Sequence, residues 1–177
     1  MAAQAPAFWH RRGLPARLLQ PLSWLFGALA RRRRRRARPE RLPVPVIVVG
    51  NIAVGGSGKT PVVEWLVRAL VIAGRRPGIV SRGYGSRQDG GVALVPPDGD
   101  PVRYGDEPVL LARLCGCPVA IGRDRPAAAQ ALLQAHPECD VLISDDGMQH
   151  YRLARDLELA VVDERVLGNC WPLPAGL

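Results

Sequence analysis

The sequence predicts an α/β fold with a doubly wound, mostly parallel sheet, preceded by an amphipathic N-terminal helix. Short apolar runs rich in Val and Ile alternate with segments whose apolar residues recur every three or four positions, which is the pattern of βαβ units. A glycine-rich stretch follows the first of these runs. Eleven of the 24 basic residues lie before position 42, which sets the N-terminal segment apart from the rest.

The overall composition is that of an ordinary globular protein. The chain has 177 residues, of which 47% are hydrophobic and 23% charged, and this balance excludes a wholly disordered chain. Its longest apolar runs fall short of the ~18–20 residues of a membrane-spanning helix. The four cysteines are too few and too scattered for a disulfide scaffold, so a reducing compartment is expected.

The net charge of +8 comes from the N-terminal segment alone. Residues 1–41 carry eleven arginines and one acid, whereas residues 42–177 carry thirteen basic and fifteen acidic groups. We therefore predict a basic amphipathic arm over 1–41 and a near-neutral globular domain over 42–177. All but one of the basic residues are arginines, and the exception, Lys59, indicates a position where a compact ammonium group is needed.

Leucines and a phenylalanine in the arm recur mostly every three or four residues, which predicts a helix with an apolar face just before the arginine run 31–36. Its charge-free part, 18–30, would span ~20 Å, less than the ~30 Å hydrocarbon core of a bilayer, and Pro21 is expected to kink it. We interpret the arm as an interfacial anchor whose arginines meet anionic lipid headgroups. The alternatives are a cleaved export signal ending near 28–30 and a basic disordered tail or nucleic-acid patch.

Six strands and three helices are predicted in the globular domain. The first strand is apolar and β-branched, as expected where both faces of a parallel sheet are covered. Ligands of such a sheet bind beyond the carboxyl ends of its strands, so functional residues are expected there. The strands are 45–50, 78–81, 92–95 at an edge, 119–121, 140–144 and 157–163, and the helices are 60–73, 107–114 and 126–135.

The segment 50–60 predicts a P-loop. It follows a buried strand and opens a helix, and its end, Gly58-Lys59-Thr60, matches G-x-x-x-x-G-K-[ST], with Ala53 at the first glycine position. Glycines let backbone N–H groups turn towards phosphate oxygens, the lysine adds a positive charge, and the threonine hydroxyl suits Mg²⁺. The alternative is a glycine-rich turn with a chance Lys-Thr pair. The domain is therefore expected to be P-loop NTPase-like and to bind ATP through Ala53, Val54, Gly55, Gly56, Ser57, Gly58, Lys59 and Thr60.

Two acids follow the predicted strand 140–144, at a place in the chain that suits a Walker B carboxylate. Asp145 and Asp146 are therefore candidate Mg²⁺ ligands together with Thr60. The alternative is a turn in which the two acids cap backbone groups. Successive side chains of a strand point to opposite sides, so the two acids are expected to diverge. If Lys59 and these acids act on one triphosphate, the Lys59 amine must lie near them.

Three further polar segments have no assigned role on composition alone. In Gly105-Asp106-Glu107-Pro108, the pattern favours Asp106 as a helix N-cap and Glu107 as a favourable first-turn acid. The segments 82–85 and 123–125 are interpreted as solvated loops or anion contacts, and 146–151 as a polar loop.

Taken together, the motifs resemble those of the tetraacyldisaccharide 4′-kinases, which act in the lipid A pathway of Gram-negative bacteria. The resemblance covers about 9–177, and Ala53 agrees with the family's own variant of the P-loop. The resemblance rests on the order and spacing of five segments. They are Gly50-Asn51, Gly55-Gly56-Ser57-Gly58-Lys59-Thr60-Pro61, Ser81-Arg82-Gly83-Tyr84-Gly85, Gly105-Asp106-Glu107-Pro108 and Asp145-Asp146-Gly147-Met148-Gln149-His150.

The resemblance implies transfer of the ATP γ-phosphoryl group, with Mg²⁺, to the 4′-hydroxyl of a lipid disaccharide 1-phosphate at the cytoplasmic face of the inner membrane. Asp106 matches the position proposed to activate the attacking hydroxyl, with Lys59 as the second catalytic residue. Glu107, Asp145 and Asp146 fall where the family places acids near Mg²⁺. The substrate-side loops are matched by Tyr84, Arg123, Gln149 and His150.

The resemblance also implies that the family continues well beyond residue 177, into a second lobe that closes over the nucleotide. We therefore expect this chain to be a fragment whose activity depends on that lobe. No nucleic-acid partner is expected. Two other functions stay open. One is a non-catalytic or regulatory nucleotide-binding protein at the membrane, although Ala53 and Val54 stand where partitioning-type ATPases carry a lysine. The other is a nucleic-acid-dependent ATPase that uses the arginine run.

Overall fold

The structure is a computed structural model that describes residues 6, 9, 12–51, 58–84, 91–162 and 171–175. These residues fall into two units, which are described separately. The first contains the described residues up to position 37 together with 162 and 171–175. The second contains 38–51, 58–84 and 91–161, and it includes the whole sheet.

The sheet of the second unit has six strands in the spatial order β3-β4-β2-β5-β1-β6. All neighbouring pairs are parallel except β3 and β4, which are antiparallel. The predicted doubly wound, mostly parallel sheet is therefore confirmed, and so is the edge position of the strand near 92–95. The strands are β1 (Val46–Asn51), β2 (Pro77–Ser81), β3 (Ala93–Val95), β4 (Val119–Ile121), β5 (Val141–Asp145) and β6 (Leu157–Val161).

Helices cover both faces of this sheet, because its central strands are apolar on both sides. Along β1, the fully buried Val48 belongs to one core and its neighbour Val49 to the other. The core with Val49 includes Val63 and Leu66 of α2 and several residues of α4, and the core with Val48 includes residues of α5. The helices of this unit are α2 (Lys59–Ile72), α3 (Pro101–Tyr104), α4 (Asp106–Cys115) and α5 (Arg125–Ala135).

Every strand and helix predicted in the globular domain is present, with bounds shifted by at most two residues. The short helix α3 was not predicted. It has four residues, too few for an apolar periodicity, and its start depends on Asp100, whose carboxylate accepts a hydrogen bond from the Val102 backbone N–H at 2.9 Å.

The first unit is built on α1 (Leu14–Arg36), a helix of 23 residues. It continues through Pro21 and through the arginine run, which places four arginines in its last turn, where positive charge is favourable. Ser23 is buried and fixes the segment 171–175: its Oγ donates to the Pro172 carbonyl at 2.8 Å and accepts from the Ala175 N–H at 3.1 Å. No helix in the described part of the chain is both long and apolar enough to cross a membrane.

Candidate active site

The candidate site lies at the carboxyl ends of β1 and β5, which are neighbours in the sheet. Val49 of β1 is level with Asp145, the last residue of β5. Asn51 ends β1, Lys59 begins α2, and Asp146 follows β5 directly. The parallel register therefore gathers polar groups that are far apart in the chain at one edge of the sheet, as sequence patterning predicted.

Lys59 is held between two oxygen atoms. Its Nζ donates to Asn51 Oδ1 at 3.0 Å and to Asp146 Oδ1 at 3.0 Å. The lysine side chain is only 16% exposed, whereas that of Asp146 is 54% exposed. Asp146 has a φ of 51°, in the left-handed region that aspartate adopts more readily than most residues. The amine thus lies beside the acid that follows β5, as expected if Lys59 and Asp146 act on one ligand.

Asp145 points the other way, into the protein. It is completely buried, its Oδ2 accepts a hydrogen bond from Ser81 Oγ at 3.3 Å, and its Oδ1 has no hydrogen-bond partner among the described residues. Burial raises the pKa of this carboxyl to about 6, with further raising by Glu107 and Asp146 and opposition from Lys59 and Arg125. A buried carboxylate oxygen without a hydrogen-bond donor is unfavourable, and a cation bound beside it would stabilise its negative charge.

Glu107 joins the first turns of two helices. The Thr60 hydroxyl, in the first turn of α2, donates to Glu107 Oε1, in the first turn of α4, at 3.1 Å. Together with Asp145, these groups offer a hydroxyl and carboxylate oxygens, the donors that Mg²⁺ takes when waters and phosphates complete its shell. Within the described part of the chain, however, no three His, Cys, Asp or Glu side chains form a ready metal-binding group.

The start of α4 depends on a glycine. Gly105 has a φ of +92°, and a Cβ on it would lie 2.8 Å from the backbone oxygen of Tyr84, so only glycine fits. The expectation that Asp106 is the N-cap is wrong: Gly105 is the N-cap, and Asp106 is the first helical residue, with an exposed side chain. The close approach places the Tyr84 backbone beside the residue that precedes Asp106.

Arg125 is a site residue that the sequence did not reveal. The segment 123–125 was interpreted as solvated or anion-binding, and this is wrong for Arg125, which is 1% exposed. Its Nη2 donates to the main-chain carbonyl of Asp145 at 2.9 Å. Arg123, the predicted residue, is exposed. Two arginines flanking one aspartate have no pattern that distinguishes the buried one.

The loop after β5 carries the predicted Gln149 and His150. Gln149 is exposed and His150 is half-buried. Arg155 holds this loop, since its guanidinium donates to the main-chain carbonyls of His150 at 2.8 Å and Met148 at 3.3 Å. Tyr84, on the loop after β2, is 85% exposed. Three of the four predicted substrate-side residues, Tyr84, Arg123 and Gln149, are thus exposed to solvent.

Five of the predicted phosphate-binding residues lie outside the described residues. Gly58, Lys59 and Thr60 are described, and Gly58 has a φ of 71°, which suits the turn into α2. The remaining predictions concern Ala53, Val54, Gly55, Gly56 and Ser57.

Comparison with known proteins gives one consistent result. The family model LpxK, tetraacyldisaccharide-1-P 4′-kinase, matches residues 15–177. The tetraacyldisaccharide 4′-kinase of Aromatoleum aromaticum is 68% identical over 99% of this chain and 54% of its own length. That of Azoarcus sp. is 67% identical, over 97% and 52%. The chain thus spans about half the length of the curated relatives it matches.

A solved structure agrees with the sequence comparisons. It is LpxK from Aquifex aeolicus, in complex with ATP, and it superposes on this chain with a TM-score of 0.78 at 34% identity. The match covers 92% of this chain and 53% of the Aquifex chain.

Proposed function

The chain belongs to the tetraacyldisaccharide-1-P 4′-kinase family, and from this premise we propose that the protein transfers the γ-phosphoryl group of ATP to the 4′-hydroxyl of a tetraacyldisaccharide 1-phosphate. The Aquifex relative was solved in complex with ATP, which supports ATP as the donor. The reaction needs alignment of donor and acceptor and neutralisation of phosphate charge more than covalent chemistry by the protein.

Lys59 neutralises phosphate charge in this proposal. In the ligand-free geometry its amine is shared between Asn51 and Asp146, so it is already aimed at the edge of the sheet where the triphosphate would lie. A phosphate oxygen would replace or share one of these partners. The Asn51 oxygen keeps the amine in place during that exchange, and the α2 N-terminus adds its own positive end.

Mg²⁺ fits the residues present, with Asp145, Glu107 and Thr60 as the groups that would hold it and Asp146 beside them. The unpartnered, buried Oδ1 of Asp145 is the observation that supports this choice. When bound, the ion supplies positive charge to the phosphate oxygens. The chain's contribution is to supply these oxygen atoms from the first turns of α2 and α4 and the end of β5.

Asp106 is proposed as the base that accepts the proton of the attacking hydroxyl. It is exposed at the first position of α4, next to Glu107, whose side chain is held by Thr60. The backbone of a carboxylate residue on the first turn of a helix is held in place by that helix. A general base must first lie within hydrogen-bonding distance of the proton that it accepts, and its basicity matters after that. The unusual conformation of Gly105 sets the direction in which this turn begins.

The lipid acceptor is proposed to bind on the open side of the site. Tyr84, Arg123 and Gln149 are exposed there, and the half-buried His150 shares the loop held by Arg155. A disaccharide 1-phosphate offers hydroxyls and an anion, which suit phenol, guanidinium, amide and imidazole groups.

The helix α1 is proposed to bring the enzyme to the cytoplasmic face of the inner membrane. Its large apolar side chains are exposed, among them Leu18 at 80% and Trp24 at 65%, and six arginines follow them. A helix with this composition lies in the interface, with apolar groups among acyl chains and arginines against anionic headgroups. The acyl chains of the acceptor remain in the same bilayer.

The observation that carries the proposal is the Lys59 amine held by Asn51 and Asp146 beside the buried Asp145. The test uses the protein expressed from its complete reading frame, with ATP labelled at the γ-phosphate and Mg²⁺. Three reactions receive tetraacyldisaccharide 1-phosphate, anionic vesicles alone, or duplex DNA. We expect label on the disaccharide, and none when the 4′-hydroxyl is already phosphorylated.

The other two reactions test the competing functions. Vesicle binding without any labelled disaccharide would favour a regulatory nucleotide-binding protein and contradict the kinase proposal. ATP hydrolysis that DNA stimulates, again without labelled disaccharide, would favour a nucleic-acid-dependent ATPase.

A further inference from the structure

Arg125 is a buried cation that no step of the proposed reaction uses. It is 1% exposed, and it is among the largest side chains that are fully buried in the described part of the chain. It begins α5, whose other buried residues are apolar or small. An arginine in such a place is unfavourable unless its surroundings compensate its charge and its five N–H groups.

The short hydrogen bond of Arg125 is directed at the peptide group that follows Asp145. Nη2 donates to the Asp145 carbonyl at 2.9 Å and the contact to the Gly122 carbonyl is long, at 3.5 Å; within the described ranges Nε has no hydrogen-bond partner. The carbonyl of Asp145 belongs to the peptide that joins the two acids. Arg125 therefore holds the orientation of the peptide plane between Asp145 and Asp146.

This peptide is the point at which the two acids diverge. On one side the Asp145 carboxylate turns inward to Ser81, and on the other Asp146 adopts its left-handed conformation and reaches Lys59. A rotation of the peptide plane would move both carboxylates at once, because it changes ψ of the first acid and φ of the second. The geometry of both acids thus depends on a single carbonyl.

Arg125 also interacts electrostatically with the carboxylates of Asp145 and Asp146. The pKa of Arg125 is lowered to about 10 by burial, while the carboxylates of Asp145 and Asp146 oppose that lowering. Arg125 in turn favours the ionised form of Asp145. Lysine would keep the charge but would place a single ammonium group where the planar fork of arginine lies.

We propose that Arg125 is a positioning residue, which holds the Asp145–Asp146 peptide so that the carboxylate of Asp145 faces Ser81 and that of Asp146 faces Lys59. The inference rests on the proposed function for its consequence in catalysis, since those acids are the groups proposed to meet Mg²⁺ and the nucleotide. Its ligand-binding consequence is independent of the lipid acceptor.

The experiment compares Arg125→Met and Arg125→Lys with a matched control, Arg152→Met. Arg152 also binds the N-terminal region of α5, through Asp124 at 2.7 Å, but its side chain is 61% exposed and no contact joins it to Asp145 in the described structure. The readouts are kcat, KM for MgATP, KM for the lipid, thermal unfolding, and the free Mg²⁺ concentration that half-saturates ATP binding.

We expect Arg125→Met to lower kcat ~100-fold, the size of effect that a displaced catalytic group produces. It should also raise the half-saturating Mg²⁺ concentration ~10-fold and leave the lipid KM unchanged. Arg125→Lys should lose ~10-fold in kcat, and it keeps the test available if the methionine variant does not fold. Arg152→Met should stay within about twofold of wild type throughout.

A lower unfolding temperature in both Arg125 variants with wild-type kcat and Mg²⁺ dependence would overturn the proposal, because it would show a purely structural role. Loss of lipid binding alone would overturn it as well. If the wild-type protein labels no lipid, the proposed function fails, and the Mg²⁺ dependence of ATP binding still decides the role of Arg125 without an acceptor.

Discussion

The proposed phosphate side of the site and its proposed acceptor side are built differently. On the phosphate side, Lys59 is 16% exposed and bonded to two oxygen atoms, and Asp145 is completely buried. On the acceptor side, Tyr84 is 85% exposed, and Arg123 and Gln149 are exposed as well. One side is fixed before any ligand arrives, whereas the other is open.

The difference has a physical origin in the sheet. Parallel register brings the ends of β1 and β5 level. The residues at these strand ends are therefore neighbours regardless of the conformation of the loops. The proposed acceptor side takes its residues from the segments after β2, β4 and β5, where Tyr84, Arg123 and Gln149 are exposed. A triphosphate, which always presents the same set of charged oxygens, would suit the first arrangement, and a lipid-linked sugar would suit the second.

The largest effect should come from removing the charge of the fixed side. Lys59→Ala is expected to lower kcat for lipid phosphorylation at least ~1,000-fold, about 4 kcal/mol, because the phosphate oxygens lose their positioned cation. Lys59→Arg is the matched control for charge, and it should also lose most activity because a planar guanidinium does not fit a site shaped for an ammonium. Steady-state transfer of label from ATP measures both. More than a tenth of wild-type kcat in Lys59→Ala would contradict the assigned role.

Asp106 is the proposed base, and its substitution should separate chemistry from nucleotide binding. Asp106→Asn keeps the shape but cannot accept a proton, so kcat should fall ~100-fold or more while KM for ATP stays within about twofold. Asp100→Asn is a suitable control, because Asp100 is an exposed aspartate that caps α3 and asparagine caps equally well. Parallel losses of kcat and ATP affinity in Asp106→Asn would argue against a base.

The fixed side was also the more predictable one. Apolar runs identified the strands, and the pattern Gly58-Lys59-Thr60 after the first strand, with two acids after a later strand, predicted that the Lys59 amine would lie near these acids. The structure places it 3.0 Å from Asp146. Apolar periodicity and residue spacing predict these contacts because strand order and register determine which residues become neighbours in the sheet.

Burial and capping were not predictable in the same way. Arg125 lies two positions after the exposed Arg123, and only tertiary packing makes one of them a buried donor. Gly105, rather than Asp106, caps α4, because the nearby Tyr84 backbone leaves no space for a Cβ. Both features depend on the residues that pack against a position in the fold, and the sequence around that position does not show which residues these are.

The buried, ionised carboxylate of Asp145 should lower the free energy of unfolding of the protein. Its folded pKa of about 6 is above its ordinary 3.8, so the native state keeps the proton to higher pH than the unfolded chain does. The carboxyl therefore lowers the free energy of unfolding as pH rises from about 4 to 6, and the full penalty is present above 6.

Asp145→Asn removes this titration. Between pH 4 and pH 7, its free energy of unfolding should improve relative to wild type by about 2–3 kcal/mol, an upper estimate from the shift. Denaturant unfolding at several pH values, in buffer with EDTA, measures the difference. Asp146→Asn is the control, because that acid is half-exposed and should give no such gain. A relative loss of stability in Asp145→Asn over the same pH range would disprove the explanation.

The smallest effect is expected on the open side. Tyr84→Ala should raise KM for the lipid acceptor about fivefold, near 1 kcal/mol, because an exposed ring gains its contacts only when the acceptor binds. KM for ATP and the unfolding temperature should not change, since a side chain that is 85% exposed contributes little to the core. Tyr84→Phe separates the ring from its hydroxyl. If Tyr84→Ala instead lowers the unfolding temperature and raises KM for ATP, the two sides of the site are coupled and their contrast does not hold.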